Sequence, residues 1–295
     1  KLARSRDILF HAREKRVRPG RDDKVLADWN GLAITGLVHA ACVFDRPDWL
    51  ARAEAACDFI FHQLGTQDGR VSHAWRLGRV TASGLLDDQA SMARAALALH
   101  EATGNPARLA QAIKLAEAAR AHFSDGNGGF FTTADDAADI PLARPRTAND
   151  NATPAGNGLL AEVFARLWHL TGEPIWRERT EWLLRAFSGN PDQLAGMSTL
   201  LAAADLLEEA ATVVVVGDPK AAESLAKAAL SSPDPAVVVL RTDSPDGLPP
   251  QHPAYGKTAA PSGAAAYICR RQVCGLPVNE PAALAETLTL LWHFA

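Results

Sequence analysis

One pattern is written three times in this chain without a gap. Trp29-Asn30-Gly31, Asp88-Gln89-Ala90 and Gly156-Asn157-Gly158 open three segments, and Pro47, Pro106 and Pro174 follow at the matching point of each. Asn30 to Gln89 and Pro47 to Pro106 are both 59 residues, while Gln89 to Asn157 and Pro106 to Pro174 are both 68. A period that spans two elements marks a repeat architecture, in which each unit buries its apolar face against the next.

Each copy reads as a nearly all-apolar helix, a turn with proline, and an amphipathic helix, as in Leu32 to Phe44 followed by Trp49 to Leu64. A helix apolar all round must be buried on all sides, whereas Leu50, Ala53, Cys57, Ile60 and Leu64 recur at the spacing of a helix with one wet face. Inner helices wrapped by outer ones are therefore expected. Proline in the first turn starts the outer helix without losing a needed N–H, and Gly104 and Gly172 suit the ends of the inner ones.

After a further apolar helix, Leu194 to Leu207, the pattern changes. Thr212 to Val216, Ala236 to Leu240 and Ala265 to Cys269 read as short strands, with helices over Lys220 to Leu230 and Pro281 to Leu291. Strands alternating with helices predict a small α/β unit with at least one parallel pair. Residues 1–210 are thus expected to form a helical-hairpin (α/α) toroid portion and residues 211–295 a C-terminal α/β segment.

Composition narrows the partners. Of 295 residues 47% are hydrophobic and 22% charged, and the net charge of −4 argues against a nucleic-acid surface. No apolar run reaches membrane-spanning length and no signal peptide is legible, so a cytoplasmic location is the expectation. The first helix, Lys1 to Arg16, starts without Met and has no inner partner before it. This predicts a piece of a longer polypeptide, with the apolar surfaces around Leu9, Leu200, Leu201 and Leu207 covered by upstream sequence or by a second copy.

The polar openers are the candidate chemistry. A ring of hairpins brings equivalent inner-helix ends to one mouth, so Asp28, Asn30, Asp87, Asp88, Gln89, Asp150, Asn151 and Asn157 should converge there. Paired carboxylates across a sugar ring serve as acid and base or as acid and nucleophile. The same residue types cap helix N-termini, typically for ~0.5–2 kcal/mol each, and that reading competes for every Asp. The linkers Asp68 to Trp75 and Asn127 to Phe131 occupy matching places and read as a tight turn followed by an extended segment. They add His73 as an acid/base, and Trp29 and Trp75 as stacking surfaces for the apolar face of a sugar. His39, His100 and His169 lie within or at the end of apolar helices and read as packing residues. Cys42 and Cys57 read as small buried hydrophobes, and Cys269 and Cys274 as reduced structural thiols. Neither a metal site nor a phosphate loop is legible, so no cofactor is expected.

Asp22 to Leu32, Gly84-Leu85-Leu86-Asp87-Asp88-Gln89-Ala90, Arg144-Pro145-Arg146 with Thr153 to Asn157, and Tyr267-Ile268-Cys269 with Cys274 and Pro277 carry a resemblance. They resemble the carboxyl-terminal part of the thioredoxin-domain-containing, spermatogenesis-associated protein family. That resemblance implies part of an (α/α)6 toroid, similar to six-hairpin glycosidases and N-acylglucosamine 2-epimerases, preceded in the full protein by a thioredoxin-like domain. Two departures stand out: Asp88-Gln89-Ala90 where the family has Asp-Tyr-Ala, and Pro154-Ala155-Gly156-Asn157 where it has Pro-Ser-Gly-Asn. The expected function is that of a carbohydrate-active-like domain, glycosidase or epimerase. Asp28, Asp88 and His73 are its catalytic candidates, with Trp29, Asn30, Asp87, Gln89, Trp75, Arg146 and Asn157 around a sugar or sugar-derivative ligand. The alternative is a non-catalytic binding or scaffolding module attached to a redox domain.

Overall fold

In the computed structural model, residues 1–138, 143–189, 191–243, 245–261, 263–271 and 273–293 are described. An exposed helix α1 (Leu2–Glu14) precedes strand β1 (Val25–Leu26), and then the repeats begin. The three hairpins are α2 (Ala27–Val43) with α3 (Pro47–Leu64), α4 (Leu86–Thr103) with α5 (Pro106–Phe123), and α6 (Gly156–Thr171) with α7 (Pro174–Phe187). Strands β2 (Ala74–Arg76) and β3 (Arg79–Ala82) lie between the first two hairpins and join β1 in an antiparallel sheet of order β1-β2-β3. A short 3-10 turn, Pro191–Gly196, leads into α8 (Ser198–Glu209). That helix starts four residues later than its apolar run because Asp150 Oδ2 accepts the Thr199 N–H (2.8 Å), fixing its first turn there.

Helices α2, α4, α6 and α8 pack side by side as an inner row, and each hairpin places its second helix outside. The result is an arc of an (α/α) toroid, mainly helical, as the repeat predicts. Prolines occupy the first turns of α3, α5 and α7, and Gly104 and Gly172 close α4 and α6 with φ of 72° and 69°. The inner helices approach closely at the small residue of each opener. A Cβ on Gly31 would sit 2.6 Å from the Ser91 backbone, and one on Gly158 would sit 2.9 Å from the Thr199 side chain.

The chain then forms β4 (Ala211–Gly217), α9 (Pro219–Leu230), β5 (Val237–Thr242), β6 (Ala264–Arg270), β7 (Val273–Cys274) and α10 (Pro281–His293). The sheet order is β5-β4-β6-β7, with β4 and β5 parallel and the other pairs antiparallel. Alternation along β4 splits its valines between two cores. Val214 and Val216 join the core of the helical arc, while Val213 and Val215 pack with Leu225 of α9 and Leu284 of α10. The apolar face of α8 is likewise covered from within the chain, since Leu200 and Leu207 are 2% and 3% exposed, whereas Leu9 and Leu201 stay open.

One expectation is overturned. Cys269 and Cys274 are not reduced thiols but form a disulfide. The antiparallel pairing of β6 with β7 sets them directly opposite, with Cα atoms 4.0 Å apart, a placement that sequence separation alone does not reveal.

Candidate functional site

The starts of α2 and α4 meet at one point, and the small sheet delivers an imidazole to it. The His73 carbonyl accepts the Ala27 N–H (2.9 Å) at the head of α2, and its own N–H donates to the Ala82 carbonyl (3.1 Å). The ring then lies with Nδ1 3.0 and 3.1 Å from the two carboxylate oxygens of Asp88. Asp88 is wholly buried. Its Oδ1 also accepts the Asp28 N–H (3.0 Å), and its Oδ2 the Leu85 N–H (2.7 Å), so one carboxylate caps two helices and orients an imidazole.

Asp28 completes the cluster. Its Oδ1 accepts the adjacent Trp29 N–H (2.8 Å). Partial burial, together with the Asp88 charge, raises its pKa above the ordinary 3.8. The hydrogen bond to Asp88 raises the His73 pKa above 6.5 against the opposing effect of burial. With Nδ1 turned to Asp88, the half-buried ring has Nε2 to offer a substrate. Asp87 borders the group. Its Oδ1 accepts the Gly156 N–H (3.1 Å) at the start of α6, and burial raises its pKa.

Asp28, His73 and Asp88 each bring one potential ligand atom within 4.8 Å of the others, as do His122, Asp135 and Asp136 on a more open surface. A cation at the first trio would compete with the N–H donors that already engage both Asp88 oxygens.

The remaining candidates divide. Trp29, in the first turn of α2, is 61% exposed beside Asp28. Half-buried Trp75 packs edge-on against Phe59, with ring centroids 5.3 Å apart. Asn30 donates from Nδ2 to the Leu26 carbonyl (2.7 Å). Gln89 and Asn157 turn away from the cluster. Gln89 Oε1 accepts the Val71 N–H and its Nε2 donates to the Val71 carbonyl, both 2.8 Å. Asn157 holds Phe130 in the same way at 3.0 and 2.9 Å, so each amide clamps the linker of the preceding hairpin. Arg146 belongs to another neighbourhood, between Asp125 (2.5 Å), the Ala186 carbonyl (3.0 Å) and the Phe187 ring.

A group that the sequence reading passed over lies further along the inner helices. Buried Arg94, Glu101 and Arg166 gather around Glu162 at a cleft of about 370 Å³. The signal was available in the repeat. Arg94 and Glu162 stand 68 residues apart, at one register of adjacent inner helices, with opposite charges.

No family model matches the chain. Its fold is similar to an α-mannanase of glycoside hydrolase family 76 from Bacteroides thetaiotaomicron, with a TM-score of 0.48 and 13% identity over 58% of this chain and 46% of that one. The same TM-score, identity and coverage hold for a cellobiose 2-epimerase from Bacillus thermoamylovorans. In sequence, the chain is 30% identical over 301 residues to spermatogenesis-associated protein 20 of Mus musculus and 28% identical over 300 residues to that of Homo sapiens. Over 95% of its length, then, this chain is similar to spermatogenesis-associated protein 20, and it spans 38% of those relatives.

Proposed function

We propose that Asp28, His73 and Asp88 form an acid–base centre that moves protons on a sugar-like, polyhydroxylated substrate. Transfer at a carbon beside a carbonyl, as in epimerisation, is favoured over hydrolysis. The carrying observation is the saturation of Asp88. Hydrolysis by two carboxylates needs both free to address the glycosidic bond. Both Asp88 oxygens are held by helix N–H groups and by His73, so Asp88 is a positioning residue. What faces outward is an imidazole and a carboxyl, each with its pKa raised above the ordinary value, a pair able to take a proton and to return one. In this reading His73 Nε2 removes the proton next to the carbonyl and the Asp28 carboxyl protonates the developing oxyanion. The enediol O–H then returns its proton to the Asp28 carboxylate while water protonates the carbon from the opposite face, and the resulting hydroxide takes up the proton held by His73, which completes inversion. Exposed Trp29 supplies an apolar face beside groups that hydrogen-bond hydroxyls. The resemblance to a toroid similar to 2-epimerases points to the same substrate class.

A second reading has its own support. Asp87, Asp88 and Asp150 each accept an N–H at an inner-helix start, as caps of a binding module would. One experiment separates the two. The chain is incubated in D2O with hexoses, N-acylhexosamines and cellobiose, and proton NMR follows the carbon next to the carbonyl. Expected is deuterium wash-in with the native chain and none with His73→Gln. Release of new reducing ends from glycosides without wash-in would establish hydrolysis instead. Sugar binding with neither outcome would establish the binding module.

A further inference from the structure

We propose that the cleft between the carboxyl ends of β4 and β5 and the last turns of α4 and α6 binds an uncharged adenine nucleoside, its base held by His100 and Arg241. The site is separate from the acid–base cluster and does not depend on it. His100 lies twelve residues after Asp88 on α4, about 18 Å along the axis.

Position is the first argument. Strands β4 and β5 are parallel and α9 crosses between them, so the cleft lies outside the carboxyl ends of two parallel strands, where open α/β sheets hold their ligands. Its volume of about 850 Å³ falls within the range of small-molecule sites, and Pro106, Leu109, Leu170, Leu240 and Leu248 give it aliphatic walls. Two side chains bring polar atoms to it. His100 is 6% exposed, and its Nδ1 lies 3.0 Å from the Asn105 carbonyl, which takes the ring proton. Burial, aided by the Arg241 charge, lowers the His100 pKa below 6.5, so the ring is neutral at pH 7 and Nε2 is a lone-pair acceptor. Among the described residues Nε2 has no hydrogen-bond partner, and it is not sealed from the cleft that the residue lines. Arg241 stands beside it, half-buried. It donates to the Ala102 carbonyl (2.8 Å) and the Pro219 carbonyl (3.2 Å) and forms no ion pair among the described residues. With two of the five guanidinium N–H groups used, three remain for a ligand.

Chemistry selects the ligand. An acceptor beside spare donors, between aliphatic walls, calls for a flat ring with apolar faces and with a donor next to an acceptor on its edge. Adenine offers its 6-amino group beside N7, the first to donate to His100 Nε2 and the second to accept from Arg241. Exposed Glu173 and Asp243 also line the cleft. Carboxylates there accept ribose hydroxyls and repel a phosphate. The start of α9 offers a phosphate nothing in return, since Asp218 already takes the Lys220 and Ala221 N–H groups (3.0 and 3.2 Å). A nucleoside, not a nucleotide, satisfies both ends of the cleft.

The test is isothermal titration calorimetry on the native chain with adenosine, AMP, glucose and purine riboside, which lacks only the 6-amino group. A nitrogen NMR spectrum of histidine-labelled chain accompanies it. Expected are saturable binding of adenosine, about tenfold weaker binding of purine riboside and of AMP, weaker binding still of glucose, and a shift of the His100 Nε2 resonance at saturation. In His100→Phe, which keeps a ring of similar size, adenosine should bind no better than purine riboside. The resonance shift is read on the native chain, so it decides the matter even if that variant does not fold. No binding of adenosine, AMP or glucose binding as tightly as adenosine, an unmoved His100 resonance at saturation, or a folded His100→Phe that still prefers adenosine would each overturn the proposal.

Discussion

Asp88 serves three partners with two atoms, and that economy makes its substitution informative. An amide at this position has one oxygen, so Asp88→Asn must surrender the Asp28 N–H or the Leu85 N–H and one lone pair facing His73. We expect a loss of roughly 1–3 kcal/mol, read as a lower urea midpoint with an unchanged m-value. The His73 pKa should fall at the same time, since its largest raising influence is the hydrogen bond to Asp88; a proton NMR titration of the ring reads this directly. The sign of the pH effect follows. A histidine whose folded pKa is raised above 6.5 stabilises the fold fully below that pH, and the contribution fades as pH climbs through the raised value. The stability gap between native chain and Asp88→Asn should therefore be widest in mild acid and narrow toward alkaline pH. A gap that widens there would refute the pairing. This part of the cluster was legible in the sequence, because the openers share a register and His73 sits in a matching linker. The direction in which an amide points was not legible, so Gln89 and Asn157 are expected around a ligand at the same mouth as Asp88, whereas their side chains hold Val71 and Phe130.

Those two amides set the rule by which one hairpin joins the next. Val71 and Phe130 occupy equivalent linker positions 59 residues apart, and each is held at both N–H and carbonyl by the opener of the following inner helix. Asn157 also donates to the Thr147 carbonyl (2.8 Å). Truncating either amide strands backbone groups in a dry environment, so Asn157→Ala and Gln89→Ala should each cost about 2–4 kcal/mol, measured by chemical denaturation. A change within a few tenths of a kcal/mol would mean that water replaces the clamp. Helices and their proline starts were legible because burial and capping act locally, and the β runs after Ala210 were legible for the same reason. Strand partners and the Cys269–Cys274 disulfide were not, since pairing depends on which segments meet. That bridge closes only a short loop, so the loop-entropy relation predicts that reduction costs about 2 kcal/mol. Comparing denaturation midpoints with and without a reductant checks it.

Across the whole molecule, the helical arc and the sheet share one continuous core, and a buried ionic group stitches them at the polar level. Glu101 on α4 accepts the Val239 N–H of β5 (3.0 Å), and Arg166 on α6 reaches the Val237 and Pro235 carbonyls. Arg241 returns the link by donating to the Ala102 carbonyl (2.8 Å) at the end of α4. Glu162, which burial alone would raise, is held at about 2 by Arg94 and Arg166, so the group remains charged across the working range of pH. A buried pair of this kind adds little net stability over an apolar pair, yet breaking one half is costly because the other half stays charged and unmatched. Arg166→Met should therefore lose about 3–5 kcal/mol, and adding Glu101→Gln should recover much of it by removing the stranded charge. Because the apolar core crosses from Leu97 and Leu160 of the arc to Val238 and Leu240 of the sheet, the two parts should melt together. Calorimetry of the native chain is expected to give one transition, with amide exchange at Val239 as slow as in the middle of α4. Two separated transitions, or fast exchange at Val239 while α4 stays protected, would show the sheet to be an appendage and not the floor on which the arc is built.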